Sequence, residues 1–231
     1  MKAFVITLKG NEVSEKGAKT LKESSQKFKN PFDISTFDAV TADMAETTMR
    51  GNGVTWTYPW DQQMVDIATG LKLSPYQTAY PARRMACFMS HYILWYKSFT
   101  TKEPILILEH DAVFIKRLDA NYILDSKFNI VGINNPLMAT RRAKIFHEKV
   151  QGSPQEIQLT PTIDDFDIPQ GIAGNSAYII KPSGAENLIE AVKEYGAWPN
   201  DAIMCRQLIE MLGVTREYYT KVQGLPSTTT G

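Results

Sequence analysis

The feature that most constrains the fold is a short, wholly apolar segment that ends abruptly in acidic residues. Residues 105–108 read Ile-Leu-Ile-Leu, and Glu109, His110 and Asp111 follow without a break. A continuous apolar run of this length is typical of a strand that is buried on both faces of a sheet. In open α/β sheets, ligands bind beyond the carboxyl ends of such strands. The segment therefore predicts a polar site at one edge of a buried sheet.

The rest of the chain shows the alternation of strands and helices that a parallel sheet requires. Strands are predicted at residues 3–8, 34–40, 128–133 and 176–180, and helices at 14–28, 83–99, 183–195 and 201–212. The opening strand–helix–strand order favours a right-handed crossover. We therefore expect an α/β fold with a mostly parallel twisted sheet and helices on both faces. Residues 43–80 have no clear period and are expected to form either a binding loop or a partly helical insertion that packs on the core.

Length and composition indicate the domain organisation and exclude one class of partner. The 231 residues, of which 43% are hydrophobic and 22% charged, suffice for one large α/β domain. We predict a single domain over residues 1–224 and a disordered tail at 225–231. The 25 basic and 25 acidic residues cancel, so no nucleic-acid partner is expected. No apolar segment reaches the length of a membrane span.

The two cysteines indicate the cellular compartment. Cys87 and Cys205 are too few and too far apart for a disulfide framework or a zinc site, and Cys87 falls in an apolar helical stretch where a buried reduced thiol is expected. The apolar run at residues 3–8 is too short for a signal peptide. A cytoplasmic protein is expected, and peripheral association with a membrane surface is left open.

Glu109 and Asp111 are the candidate metal ligands. Side chains two positions apart on an extended chain point to the same side, and His110 between them is expected to point away. Carboxylate oxygens are the ligands that hard divalent cations prefer, and a cation held there would neutralise a diphosphate leaving group. The alternative interpretation is an ordinary strand end followed by a polar turn.

Three segments around this pair resemble a known family. Residues 86–95 (ACFMSHYILW) precede the apolar strand with its Glu-His-Asp end at 105–111, and a later block at 174–180 reads GNSAYII. In this order they resemble glycosyltransferase family 25, which includes bacterial lipooligosaccharide galactosyltransferases and collagen galactosyltransferases. The family's pattern is a Ser-His helix and then an apolar strand that ends Glu-Asp-Asp. This chain departs from it at His110, and residues 9–16 replace the family's Arg-rich stretch.

The resemblance implies a GT-A-like fold and a metal-dependent, inverting transfer of a hexose, with galactose favoured. The donor would be a UDP-sugar and the acceptor a hydroxyl of a glycan or a protein. The resemblance implies that Glu109 and Asp111 bind the metal, and Mn²⁺ is favoured over Mg²⁺ because an imidazole lies nearby. The candidate donor-binding residues are Thr7, Ser90, His91, Glu109 and Gly174.

Asp201 is the candidate general base that takes the proton from the acceptor hydroxyl. The alternative is an acid that merely favours a helix N-terminus. His91 is interpreted as a group that orients the acidic strand end, with a simple core role as the alternative. Ser90 and Gly174 have helix packing and a plain turn as their alternatives. Because of the departures from the family pattern, the alternative function is a catalytically inactive homologue that binds a nucleotide-sugar or a glycan.

Overall fold

The secondary structure alternates between strands and helices along most of the chain. The computed structural model describes residues 1–139, 142–226 and 228. The strands are β1 (Lys2–Thr7), β2 (Ile34–Asp38), β3 (Met64–Val65), β4 (Lys72–Leu73), β5 (Ile105–Glu109), β6 (Ala112–Phe114), β7 (Ile130–Gly132), β8 (Ile157–Leu159), β9 (Ala177–Ile180), β10 (Leu212–Thr215) and β11 (Thr220–Val222). The helices are α1 (Glu12–Lys27), α2 (Ala45–Gly51), α3 (Pro81–Thr101), α4 (Ala120–Leu124), α5 (Ala143–Gly152), α6 (Pro182–Tyr195) and α7 (Asn200–Ile203).

A seven-stranded sheet, counted over the described residues, forms the centre in the order β2-β1-β5-β9-β7-β10-β8. β1 pairs in parallel with β2 and β5, and β7 pairs in parallel with β10. β9 is antiparallel to both β5 and β7, and β8 is antiparallel to β10. Five strands therefore run in one direction and two, β8 and β9, in the other. The mostly parallel sheet expected from the sequence is confirmed, with β9 inserted as an antiparallel strand in its middle.

Alternate side chains of the central strands enter two separate cores. On one face, Ile105 and Ile107 pack with residues of α3 and α6. On the other, Leu106 and Leu108 pack with residues of α1 and α4. All four side chains are fully buried, which is why the segment is apolar at every position. Helices on both faces of the sheet are thus confirmed.

α3 carries the Ser-His segment to the edge of the sheet. Pro81 opens the helix, where a missing backbone N–H costs nothing because the first turn has no intrahelical acceptor for it. Lys102 ends it in a left-handed conformation with φ 53°, just before Pro104. The predicted helix at 83–99 is confirmed and extends by two residues at each end.

The helix predicted at residues 201–212 is wrong beyond its first turn. α7 ends at Ile203, and the following backbone pairs with a distant segment: Gly171 and Cys205 form a bridge, and the Arg206 N–H donates to the Gln170 carbonyl at 3.1 Å. These tertiary hydrogen bonds outweigh the local helix preference, which is worth only tenths of a kcal/mol per residue, about 0.7 at most for ordinary residues.

The stretch at residues 43–80 is an insertion packed on the core. It contains α2 and the β3–β4 hairpin, and it buries Val54, Leu71 and Leu73 in the core that α3 shares. Trp56 and Trp60 stack with their ring centroids 4.8 Å apart. Of the two expectations for this stretch, the partly helical insertion is the one observed.

Two expectations concern the chain's ends and any membrane segment. The predicted disordered tail at 225–231 lies mostly outside the described residues, which there include only Leu225, Pro226 and Thr228. Among the helices of the described residues, none is long and apolar enough to cross a membrane.

Candidate active site

The acidic segment lies at the carboxyl edge of the sheet, where a large cavity opens. β5 ends at Glu109, and His110 and Asp111 form a turn that leads into β6. All three residues border a cavity of about 470 Å³, together with Asn175 and Asp201. The structure thus brings the two predicted metal ligands and the predicted base to one cavity, although they come from positions up to 92 apart in the chain (201 − 109).

A second cavity of about 350 Å³ continues from the first toward the ends of β1 and β2. Leu8 and Val40 contribute apolar surface to it, and Asn11 contributes a polar group. Both cavities are bordered by Glu109 and His110. Together they form a cleft along the sheet edge, with Glu109 at the junction and Asp111 in the larger cavity.

Several buried polar atoms at the larger cavity have no hydrogen-bond partner among the described residues. They are Oδ1 of Asp111, Nε of Arg84, and both side-chain polar atoms of Asn175. A buried polar atom without a partner costs about 1–3 kcal/mol, so a water, an ion or a ligand is expected to complete these atoms. The sequence analysis missed Asn175 as a site residue, although it stands beside Gly174 in the family-like block.

The electrostatics of the acidic pair favour a bound cation. Burial and the neighbouring charge of Glu109 raise the pKa of Asp111 to about 7, while a hydrogen bond from Ser176 opposes the shift. Two crowded carboxylates that share a cavity are stabilised by a divalent ion, and their oxygen atoms are suitable ligands for a hard one. The unpartnered Oδ1 of Asp111 fits the same interpretation.

His91 connects this pair to the core through a chain of hydrogen bonds. Its Nε2 lies 3.2 Å from Oε1 of Glu109, and its Nδ1 lies 2.8 Å from the Tyr178 hydroxyl. The Trp95 indole N–H donates to that same hydroxyl at 2.7 Å. Because the tyrosine oxygen accepts from Trp95, its own hydrogen is available to Nδ1, which leaves the His91 proton on Nε2 to donate to Glu109.

A second set of metal-binding atoms overlaps the first. Ligand atoms of Cys87, His91 and Glu109 all lie within 4.8 Å of one another. However, both nitrogens of His91 already have partners, and burial raises the pKa of the Cys87 thiol, with the Glu109 charge adding to the shift. A protonated thiol is a poor ligand. The pair Glu109 and Asp111 is therefore the better set for a hard cation.

Asp201 lies between the 470 Å³ cavity and a third cavity of about 250 Å³. Its side chain is open to these cavities, yet protein surrounds it on most sides, and this desolvation raises its pKa while the Arg84 charge opposes the shift. Gly171 packs against its backbone: a Cβ at Gly171 would lie 2.2 Å from the Asp201 carbonyl oxygen. Glycine at 171 thus permits the position of the acid.

A family model described as glycosyltransferase family 25 (LPS biosynthesis protein) matches residues 1–204. The chain belongs to glycosyltransferase family 25. It is therefore a glycosyltransferase, and the expected α/β fold of GT-A-like class is confirmed by this membership together with the observed sheet.

The family 25 chain is also similar to solved structures. One is the apo structure of the WbbM bifunctional glycosyltransferase, at 12% identity and a TM-score of 0.42, covering 92% of this chain and 38% of that one. Another is mouse xyloside xylosyltransferase 1 in its apo form, at 9% identity and a TM-score of 0.39, covering 90% of this chain and 80% of that one. A comparison with curated proteins finds no match.

The predicted donor residues of this family 25 glycosyltransferase do not all border the cleft. Gly174 borders the 470 Å³ cavity with φ +71°, a conformation that side chains with a Cβ rarely adopt. Thr7 lies elsewhere: its hydroxyl donates to the Val5 carbonyl at 3.3 Å, and it borders a separate groove with Lys9. Thr7 therefore has no contact with the cleft that would support a donor role.

Ser90 borders the 350 Å³ cavity but uses its hydroxyl within the protein. Its oxygen accepts from the Val40 N–H at 2.9 Å, and its O–H donates to the Ala86 carbonyl at 2.8 Å. These bonds attach the chain after β2 to α3, which is the helix-packing role weighed as the alternative.

Gln223 stabilises the acidic turn, and the sequence contained no signal for it. Its side-chain nitrogen lies 2.8–3.1 Å from the carbonyl oxygens of Gly17, His110 and Ala112, which share its two hydrogens, and its backbone N–H donates to the Asp111 carbonyl at 2.7 Å. The backbone that presents the two carboxylates is thereby held against α1 and β11.

Proposed function

We propose that this glycosyltransferase transfers a hexose, with galactose favoured, from a UDP-sugar to a hydroxyl of a glycan or protein, with inversion at the anomeric carbon. The observation that carries the proposal is the shared cavity of Glu109, Asp111 and Asp201, at which Oδ1 of Asp111, Nε of Arg84 and the amide of Asn175 are buried without partners. Glu109 and Asp111 are suitable ligands for a metal, and the Arg84 guanidinium is suited to the diphosphate that the metal accompanies. The Asn175 amide is suited to sugar hydroxyls.

Glu109 and Asp111 would hold the divalent metal, for which Mn²⁺ is the favoured ion. Bound there, the metal would supply positive charge to the diphosphate as it leaves. The Nε2–H of His91 keeps one Glu109 oxygen oriented, so the other oxygen is available to the ion. Arg84 would add a fixed positive charge beside the phosphates.

Asp201 would accept the proton of the attacking hydroxyl. It borders the 470 Å³ cavity, here called the donor-side cavity, on one side and the 250 Å³ cavity on the other. An acceptor can therefore approach the sugar from the side opposite the diphosphate. Attack from that side inverts the anomeric configuration. The raised pKa of Asp201 makes the carboxylate a better base.

We further propose that residues 1–224 form one catalytic domain, since both hydrophobic cores use the same central sheet. A cytoplasmic location is proposed with it, because Cys87 and Cys205 form no disulfide, as is typical of proteins in a reducing compartment.

The decisive experiment measures UDP release from UDP-galactose, UDP-glucose and the UDP-N-acetylhexosamines, with Mn²⁺ and with a chelator. We expect release with Mn²⁺ from at least one donor, loss with the chelator, and loss in the Asp111→Ala variant. Glu186→Gln, an exposed acid on α6, is the matched control and should keep full activity. Turnover that survives the chelator would refute the metal role, and UDP binding without any turnover would instead support the inactive-homologue alternative.

A further inference from the structure

A cavity of about 250 Å³ lies on the far side of Asp201, and Glu109 and Asp111 do not border it. We call it the outer cleft and define it by the residues that form its walls and its inner end: Tyr58, Pro75, Tyr76, Pro169, Ile172 and Asp201. It lies between the insertion that follows β2 and the segment that precedes β9. Its volume is close to the low end of the range of about 300–1,000 Å³ for small-molecule sites and suits a single sugar ring better than an extended chain.

The outer cleft is adjacent to the donor-side cavity and shares part of its border. Asp201, Gly174 and Ala139 border both cavities. The guanidinium of Arg84, which borders the donor side, stacks over the Tyr76 ring at 4.0 Å, so this pair forms part of the wall between them. A group in the outer cleft can therefore reach Asp201 without entering the space required by the diphosphate.

The chemistry of the outer cleft favours an uncharged ring with an apolar face. Aromatic, proline and aliphatic side chains dominate its walls, and such flat apolar surfaces suit the C–H face of a pyranose. No lysine or arginine is among the described residues that border it. The charged residues there are Asp164 and Asp201, and Asp164 already pairs with Arg142 at 2.7 Å.

We propose that the outer cleft is the acceptor subsite and that it selects a neutral saccharide over an anionic one. The inference rests on the proposed function, because it takes Asp201 as the base that the acceptor hydroxyl contacts. An anionic sugar such as a uronic acid would place its carboxylate beside Asp201 and against the apolar walls, which like-charge repulsion and desolvation disfavour. A neutral ring can donate a hydrogen bond from one hydroxyl to Asp201, while its C–H face packs against the apolar walls.

The test is saturation-transfer-difference NMR on the whole protein with UDP and Mg²⁺ present, because paramagnetic Mn²⁺ would broaden the resonances of bound ligands. The two probes are methyl β-D-glucopyranoside and methyl β-D-glucopyranosiduronic acid. We expect the neutral glycoside to show saturation and the uronic acid to show none. The blocking variant is Ser74→Trp, at an exposed position that borders the cleft, and Gln77→Trp is its control on the same loop but outside the cleft. Ser74→Trp should abolish the saturation of the neutral glycoside, and Gln77→Trp should preserve it.

The UDP resonances in the same sample separate this inference from the proposed function. Saturated UDP with no saturation of the neutral glycoside, or equal saturation of both glycosides, overturns the acceptor subsite while the donor site stands. Saturation that persists in Ser74→Trp also overturns it. If UDP shows neither saturation with Mg²⁺ nor calorimetric binding with Mn²⁺, the proposed function fails, whereas the behaviour of the glycosides still decides whether the outer cleft binds neutral sugars.

Discussion

The Nδ1 atom of His91 lies 2.8 Å from the hydroxyl oxygen of Tyr178, and this contact determines which nitrogen of the ring carries the proton that faces Glu109. Both side chains are buried, at 1% and 0% exposure, so water cannot replace either partner. The orientation of a carboxylate at the sheet edge therefore depends on a tyrosine from β9 and on Trp95 behind it.

Substitution Tyr178→Phe keeps the packed ring but removes the hydroxyl that sets the His91 tautomer. We expect Mn²⁺ affinity or turnover to fall by about 10–100-fold, as for other groups that orient metal ligands, with a changed pH profile. Steady-state kinetics over a range of Mn²⁺ and pH would show this. Tyr122→Phe, at an exposed tyrosine on α4, should leave both unchanged, and a purely structural role would lower the melting temperature without moving the pH profile.

The Asp111→Asn variant should show a specific pH dependence of stability. Since the folded protein raises the pKa of Asp111 from 3.8 to about 7, this group favours the fold at low pH, and that stability is lost as the pH rises from about 4 through 7. In the presence of chelator, the variant should therefore melt higher than the wild type at pH 8 but not at pH 4. It should also lose the stabilisation by Mn²⁺. A lower melting temperature for the variant at pH 8 would contradict the crowding of the two acids.

Asp201→Asn keeps the shape of the base and removes its ability to accept a proton. Transfer should fall by about 100-fold or more, the usual contribution of a general base, while the affinity for UDP changes little. Calorimetry for UDP and a transfer assay measure the two quantities separately. The control is Asp61→Asn, an exposed acid outside the cavities. Loss of UDP affinity in step with turnover would instead assign Asp201 to donor binding.

Gly171→Ala should disturb Asp201 without touching any charged group. The added Cβ would lie 2.2 Å from the Asp201 carbonyl oxygen, which is backbone and cannot rotate away. We expect a loss of about 1–3 kcal/mol in the free energy of unfolding together with reduced turnover. Gly152→Ala, where nothing lies within 4 Å of the added atom, is the matched control for denaturant unfolding. Equal behaviour of the two variants would contradict the close approach.

The elements with strong local patterns could be predicted from sequence. Residues 105–108 are apolar at every position because both faces of β5 are covered, and α3 repeats its apolar side chains at helical spacing. The pairing of Glu109 with Asp111 was predicted by alternation along an extended chain, but β5 ends at Glu109. Asp111 enters the cavity through a turn, and His110, which was expected to point away, also borders the cavity.

The sequence by itself determined the class of the fold, the buried strand with its acidic end, and the family. Each of these can be predicted from patterns among residues that are close together in the chain. Only the tertiary structure decided that α7 stops at Ile203, that Thr7 lies away from the cleft, and that Asn175 faces it without a partner. The reason is physical. These outcomes depend on contacts between segments that are distant in the chain, such as the bridge between Gly171 and Cys205 that follows α7. In the same way, β9 enters the sheet antiparallel between β5 and β7 and joins His91 to a tyrosine 87 residues later, and no local pattern of side chains encodes which distant segment becomes the neighbour.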